Sequence, residues 1–235
     1  MKKLLLFTTT LFLCYSLFGQ KPDTKPFKLV IEKPSAAIVP DSLKNQIPII
    51  EKKYWDEYQN TMRTTEAMID LFNDYPESMK AEIEEQKLQL KKELILLKNK
   101  KERVQKFQYY ELMSYYLSSI LNLYFNEHKP YSEIYEIENY TFAGKSHKAI
   151  TDSLIVDYLI SFEEIEVKET NGTYEMQSKI VLYSAKADKI ILQENITGDT
   201  NSYGDMWTCE EALTCLFITS IRNAIKSISK ELSER

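Results

Sequence analysis

The apolar residues between 151 and 235 recur first with a period of two and then with a period near 3.6. Asn171-Gly172 separates two alternating runs, and this dipeptide favours a type I′ turn because both positions tolerate a positive φ. A third alternating run follows Asp188, and the final run repeats at helical spacing from Leu213 to Leu232. The pattern therefore predicts three antiparallel strands followed by an amphipathic helix.

The Asn171-Gly172 turn also sets the register of the first hairpin. A strict two-residue loop pairs Val167 with Met176, but it sets apolar residues opposite polar ones farther along the strands. One extra residue at Glu163-Glu164 restores the match, so we predict a β-bulge there. With a five-residue loop from Ser184 to Asp188 before the third strand, the register places one set of apolar residues on a single face of the sheet: Tyr158, Ile160, Phe162, Ile165, Val167, Met176, Ile180, Leu182, Ile190, Leu192 and Ile196.

The last helix is predicted to cover this apolar face. Thr208 and Glu211 have the spacing of a capping box, which would begin the helix. The helix then presents one apolar stripe, formed by Leu213, Phe217, Ile221, Ala224, Ile225, Ile228 and Leu232.

The opposite face of the predicted sheet carries a smaller apolar patch. The register places Leu159 beside Tyr183 and Val181 beside Ile191. Large exposed apolar patches are rare on soluble proteins, so another segment of the same chain is expected to cover this one. The alternative is that the four residues form a docking surface for a partner.

Residues 49–103 have the pattern of two helices. Asn73 to Pro76 is a helix stop, and a second run begins near Pro76 with Ile83, Leu90 and Leu94 on one stripe. Its other positions are mostly Glu, Lys and Gln, which is typical of an antiparallel helical hairpin or a short coiled coil with a solvent-exposed outer face. A coiled-coil dimer needs a longer uninterrupted seam, so we favour the intramolecular hairpin. The helical pattern continues through 107–124, where apolar residues on several sides indicate burial.

The remaining segments complete the predicted organisation. Residues 27–31 (FKLVI) are either an edge strand or an extended surface segment, and 131–142 is an irregular strand. We expect a signal peptide at 1–20, an extended leader at 21–48, a helical hairpin at 49–103 and an α+β domain at 104–235. The predicted fold class is α+β, with an antiparallel sheet of three to five strands packed by the C-terminal helix and a second long helix.

The amino terminus carries the pattern of a secretory signal. Lys2 and Lys3 precede an apolar run that ends near Gly19-Gln20. Cys14 follows Leu13, where a lipoprotein signal has a small residue, so we expect Cys14 to be removed with the signal. The alternative is an uncleaved anchor. No second apolar run is long enough to span a membrane, so no transmembrane span is expected after cleavage.

Export places Cys209 and Cys215 in an oxidising compartment, where a disulfide can form. If both residues were helical, their Cα atoms would be about 9 Å apart, beyond the roughly 7 Å limit of a disulfide. The bond therefore requires the helix to begin after Cys209. Neighbouring Tyr203 and Trp207 make the 197–211 loop a candidate functional segment, although Trp207 can equally anchor the helix to the core.

The composition and motifs exclude several function classes. A net charge of −5 over 235 residues argues against a dedicated nucleic-acid binder. His128 and His147 are the two histidines, and neither lies in a catalytic motif. We therefore predict no metal site, no cofactor and no catalytic constellation.

The order of elements from 105 to 235 resembles the small α+β domains of envelope proteins of the CsgG and TolB amino-terminal kind. The signal peptide resembles those of Bacteroidota. These resemblances imply an accessory role in the cell envelope and assign no residue roles. The sequence thus predicts an exported, non-enzymatic protein, periplasmic or secreted, that binds an unidentified protein partner in the cell envelope. The alternatives are a binder of a small apolar or lipid ligand, held between 104–125, 208–232 and the sheet, and a hydrolase that uses carboxylates or His147.

Overall fold

The computed structural model describes residues 26–75, 80–128, 132–137, 144–203 and 208–234. The predicted signal peptide, Cys14 and Trp207 lie outside these residues, as does the side chain of His128. In chain order the helices and strands are β1 (Lys28–Ile31), α1 (Ile47–Leu71), α2 (Lys80–Gln105), α3 (Leu112–His128), β2 (Glu133–Glu136), α4 (His147–Leu154), β3 (Tyr158–Thr170), β4 (Thr173–Ser184), β5 (Lys189–Gly198) and α5 (Ala212–Ser233).

The fold is α+β, with a five-stranded mixed sheet in the order β2-β1-β3-β4-β5. Strands β3, β4 and β5 are antiparallel, as predicted, but β1 runs parallel to both β2 and β3. The prediction of a fully antiparallel sheet is therefore only partly right. The placement of 27–31 at an edge or over the surface is wrong, because β1 is an interior strand with Leu29, Val30 and Ile31 fully buried.

The predicted bulge in β3 is confirmed. Val167 pairs with Met176, and the register of β3 against β4 shifts between Glu163 and Glu166. Glu164 lies inside the shift with a positive φ of 52°. On the other side of β3, the backbone of Ile38 accepts a hydrogen bond from Val167 N at 2.8 Å and donates one to Ile165 O at 2.9 Å. The segment that follows β1 thus continues the sheet past the bulge.

The predicted register of the second hairpin is wrong. Ser184 pairs with Lys189, which leaves a four-residue loop instead of the predicted five, and the register shifts again beside Leu182. Ile191 is the extra residue in this shift, and it packs with Leu192 against the main core, while Ile190 is exposed. Two successive residues on one face are the signature of a bulge.

Helices cover both faces of the sheet. Helices α3 and α5 pack on the face that carries the predicted apolar residues, and the whole predicted stripe of α5 is buried. Helix α4 packs on the other face, where Ile150 joins Val30, Leu159 and Tyr183 in a second core cluster. The sheet is therefore the middle of three layers where α4 crosses it.

The capping box predicted from Thr208 and Glu211 does not form. Helix α5 begins at Ala212, and Glu211 occupies the N-cap position without a side-chain capping bond. Instead, Gln46 Oε1 accepts a hydrogen bond from Leu213 N at 2.9 Å. A side chain distant in sequence thus satisfies a donor in the first turn, which local spacing could not reveal.

Helices α1 and α2 pair in antiparallel orientation. Tyr58 Oη donates to Leu97 O at 2.8 Å, and Glu66 lies 3.8 Å from Lys98 Nζ. The continuous helix predicted from α2 into α3 is wrong, because the chain leaves helical geometry at 106–108. There Gln108 N donates to Glu111 Oε1 at 3.2 Å, the pattern of a new helix start.

Candidate binding groove

The apolar patch predicted as a docking surface is not exposed. Helix α4 covers Leu159 and Tyr183, and Val181 is also fully buried. Ile191 is on the opposite face because of the bulge in β5, so Val181 pairs with Gln193 instead. Leu159 and Tyr183 pair as predicted, and α4 covers them as the expected segment of the same chain. The four residues do not form the predicted partner-binding surface, because Ile191 is on the other face and the remaining three are buried.

Tyr203 is fixed against α5. Its hydroxyl donates to Asp199 Oδ2 at 3.2 Å, and the Arg222 guanidinium carbon lies 3.9 Å from the centre of its ring. Asp199 is itself held by Thr219 Oγ1, which accepts from its backbone N at 2.8 Å. These contacts indicate a structural role for Tyr203.

His147 meets a potential nucleophile but not a catalytic constellation. Its Nε2 lies 3.2 Å from Ser161 Oγ, and its ring is tilted against Tyr183 with centroids 5.6 Å apart. Ser161 is buried on β3, and within the described residues no carboxylate hydrogen bonds to His147. A nucleophilic site requires access and an orienting group, so this pair is consistent with a packing contact.

Cys209 and Cys215 form a disulfide with Cα atoms 5.2 Å apart. The geometry is possible because α5 begins at Ala212, so Cys209 lies in the extended segment before the helix. The disulfide fixes residues 208–211 against the first turn of α5.

The same segment lines an open groove of about 210 Å³ between the helical hairpin and the rest of the protein. Its residues come from α1, from the start of α3 and from 208–214. Apolar and aromatic side chains form one part, namely Ile50, Tyr54, Leu112, Tyr115 and Tyr116. Polar side chains form the other, namely Lys53, Glu57, Thr208, Glu210, Glu211 and Thr214, with Cys209 beside them.

The aromatic part is a continuous row of rings. Phe107 stacks on Tyr54 with centroids 3.8 Å apart, and Tyr54 meets Tyr115 edge to face at 5.5 Å. Tyr115 in turn meets Tyr116 at 5.6 Å. Such edge-to-face pairs hold each ring in a defined orientation, so the groove is preformed.

The polar part is acidic. Lys53 Nζ lies 2.9 Å from Glu210 and 4.0 Å from Glu211, and the hydrogen bond to Glu210 raises the pKa of Lys53. Glu211 also accepts a hydrogen bond from Thr214 Oγ1 at 3.2 Å. The Glu57 carboxylate makes no hydrogen bond or ion pair within the described part of the chain. Three carboxylates and one ammonium give the groove a formal charge of −2.

The tyrosines of the groove are neutral phenols at physiological pH. Burial raises the pKa of Tyr115, and the negative charge of Glu57 raises it further. Burial also raises the pKa of Tyr116 well above its usual range, with smaller contributions from Tyr115 and Glu57. The row therefore presents uncharged aromatic rings beside carboxylates.

Behind Tyr54 and Tyr115 lies a closed cluster of ion pairs. Lys33, directly after β1, contacts Glu111 and both side chains are buried; Arg103 lies 3.3 Å from Glu136 at the end of β2. The space between these groups is about 10 Å³, which is roughly the minimum for one water molecule. The cluster thus joins the hairpin to the sheet and leaves no room for a ligand.

Among the described residues, no group of three or more His, Cys, Asp or Glu side chains is arranged to hold a metal ion. None of the described helices is long and apolar enough to cross a membrane. The groove itself was not predicted, because its residues come from three distant stretches. One signal was present in the sequence: sixteen tyrosines, many of them concentrated after residue 108.

No family model matches this chain, and no curated protein matches it. Among solved structures, the hypothetical protein CT253 from Chlamydia trachomatis is similar to part of it, with a TM-score of 0.36 and 10% sequence identity. The similarity covers 55% of this chain and 87% of that one. A likeness this low carries no argument about function.

Proposed function

We propose that this protein is an exported, non-enzymatic interaction subunit of the cell envelope, and that it holds its partner at the groove between the helical hairpin and α5. The observation that carries the proposal is the preformed row of Tyr54, Tyr115 and Tyr116, which lines an open groove. Aromatic residues in a partly desolvated pocket are the usual anchors of protein interfaces. The signal-peptide pattern supports the location, and the disulfide agrees with an oxidising compartment.

The size of the groove favours a partner side chain over a lipid. Pockets for drug-sized ligands usually have volumes of about 300–1,000 Å³. The groove has about 210 Å³, which suits one long side chain or a ligand of similar size. The space between α3, α5 and the sheet, where a lipid was predicted as an alternative, is filled by buried side chains such as Leu117, Leu121 and Phe217.

The groove also does not favour the hydrolase alternative. His147 lies on the face of the sheet that α4 covers and does not line the groove. The carboxylates of the groove are paired with Lys53 or exposed. The hydrogen bond from Lys53 lowers the pKa of Glu210, whereas a general acid needs a raised one. The arrangement therefore supports binding better than catalysis.

Site-specific photo-crosslinking in the native host tests the proposal. A benzophenone amino acid replaces Thr208, which is exposed at the groove, or Lys230, which is exposed near the end of α5. We expect a discrete envelope adduct from position 208 that is absent at 230 and is lost when Tyr116→Leu is added. Equal adducts at both positions, or none at 208, would contradict the proposal. Fractionation of the same cells tests export, and a cytoplasmic protein with its first twenty residues intact would refute it.

A further inference from the structure

We infer that the groove binds an organic cation of side-chain size, a primary ammonium or a guanidinium on an apolar stem. This inference rests on the proposed function, because it names the chemistry of the group that the groove would hold. It depends on three observations: the shape of the groove, its charge and the orientation of its rings.

The charge of the groove selects the sign of the ligand. Lys53 already pairs with Glu210 and Glu211, so its charge is satisfied within the protein. Glu57 lies one helical turn along α1 from Lys53, and its charge helps to raise the pKa of Lys53. The same charge raises the pKa of the Tyr115 and Tyr116 hydroxyls. An anion would meet three carboxylates, whereas a cation would give Glu57 a partner.

The rings select a cation that can also make apolar contact. A cation over the face of a tyrosine within about 6 Å of the ring centre is attracted by the ring quadrupole, worth about 0.5–1 kcal/mol at exposed sites. Buried Ile50 and Leu112 line the same groove and can receive a methylene stem. A bare metal ion would gain nothing from these two side chains.

A neutral apolar ligand fits less well. It would cover Glu57 and remove water from its carboxylate without providing a hydrogen bond, which carries a desolvation cost. A cation of the same length replaces that water with a charge-assisted contact. The chemistry is the same whether the cation is a Lys or Arg side chain of a polypeptide or a free small amine.

Matched probes separate these cases. The disulfide-bonded protein is titrated with N-acetyl-lysine methylamide, N-acetyl-arginine methylamide, butylammonium and the uncharged isostere N-acetyl-norleucine methylamide. The ring resonances of Tyr115 and Tyr116 are followed by NMR. We expect saturable shifts with the cationic probes and at least tenfold weaker binding of the norleucine probe. Tighter binding of the lysine probe than of butylammonium identifies a polypeptide side chain as the ligand, and equal binding identifies a free amine.

Variants test the roles of the carboxylate and the ring. Glu57→Gln should weaken binding of the lysine probe about fivefold, because it removes one nearby charge. Glu85→Gln, on the exposed outer side of α2, should leave binding unchanged. Tyr116→Leu should weaken binding two- to fivefold, while Tyr116→Phe keeps the ring and should weaken binding less than Tyr116→Leu does. The Phe variant serves as the folded control if the Leu variant is unstable.

Two results would overturn the inference. One is equal binding of the norleucine and lysine probes, which would make the groove a purely apolar site. The other is the absence of binding by every cationic probe while the adduct at position 208 persists, which would leave the proposed function standing with a different ligand. If the cations bind but no adduct forms at 208, the ligand class is right and the role as an interaction subunit is wrong.

Discussion

Gly198 ends β5 at the point where the strand meets α5 most closely. A Cβ atom built on this residue would lie 1.9 Å from Leu216 O, which belongs to the helix backbone. The contact continues through Thr219, whose hydroxyl donates to Asp199 O at 2.9 Å. The absence of a side chain at Gly198 therefore sets how closely the sheet and the helix can pack.

Gly198→Ala is expected to destabilise the protein by about 2–4 kcal/mol, because either the strand or the helix backbone must move. Gly144→Ala is the matched control. Gly144 has a φ of +77° with open space around it, so its replacement should cost only about 1 kcal/mol of backbone strain. Urea denaturation of both variants measures the difference. Equal losses of unfolding free energy in the two variants would show that the strand or the helix moves at Gly198 without an energetic cost.

Ile155 presents the opposite case, a bulky residue where glycine is favoured. It ends α4 in the left-handed region, with φ 54° and ψ 55°, and it is 83% exposed. A β-branched residue rarely adopts this conformation, because its side chain collides with the backbone. The sequence shows no sign of it, whereas the positive φ values at Asn171 and Gly172 follow directly from the residue types.

Ile155→Gly should stabilise the protein by about 0.5–1 kcal/mol, because it relieves left-handed strain and removes little packing. Ile155→Ala keeps the strain and should change stability by less than about 0.5 kcal/mol. Thermal and urea unfolding of the pair provide the test. Destabilisation by both substitutions would mean that the exposed side chain contributes contacts of its own.

Among the elements, the two hairpins differ in how far their register could be predicted. Asn171-Gly172 permits one tight turn, so the pairing of β3 with β4 and its bulge could be derived from the sequence. The loop between β4 and β5 lacks such a dipeptide. A second bulge at Ile191 shifts the pairing of β4 with β5 away from the predicted one. The run Leu29-Val30-Ile31 matches the continuous apolar runs of interior parallel strands, and β1 is such a strand.

The segment that leads into α5 depends on the disulfide. Within this segment, Cys209 is joined to Cys215 across the start of the helix. Replacing both with serine should lower the free energy of unfolding by about 2 kcal/mol through loop entropy. The parent protein in reductant should match the variant, and the lysine probe should bind both more weakly because Cys209 lines the groove. An unchanged urea midpoint would contradict this expectation.

At the scale of the whole molecule, the position of the groove could not be predicted from the sequence. It forms where α1, the start of α3 and residues 208–214 converge, and no periodicity relates these stretches. Much of the main core could be predicted from the periodic apolar residues of β3, β4 and α5. Sequence patterns thus indicate which faces are buried, while the place where the elements leave a gap depends on their three-dimensional packing.

Alkaline pH should lower the stability of the folded protein, because Tyr183 then loses its proton. Its hydroxyl donates to Asp188, and this hydrogen bond, followed by burial, raises the pKa of Tyr183 to about 12. The unfolded value is about 10, so the folded state holds the proton more tightly. The resulting stability is complete below about pH 10 and is lost as pH rises from there through about 12. Urea midpoints of the parent should fall more steeply over this range than those of Tyr183→Phe. Parallel curves would exclude Tyr183 as the source.

The interior position of β1 has a consequence for the order of folding. Its neighbours lie far along the chain: Phe27 N bonds to Ser132 across 105 residues, and Lys28 N bonds to Asp157 across 129. Closing loops of this length costs entropy before any strand contact compensates for it, and such topologies fold slowly. The β3–β4 hairpin can form first by local contacts, whereas the gap between β2 and β3 stays open until β1 enters it. A chain that is exported unfolded would form this gap, and fill it, only in the new compartment. Refolding kinetics should show β1 docking as the slow final phase.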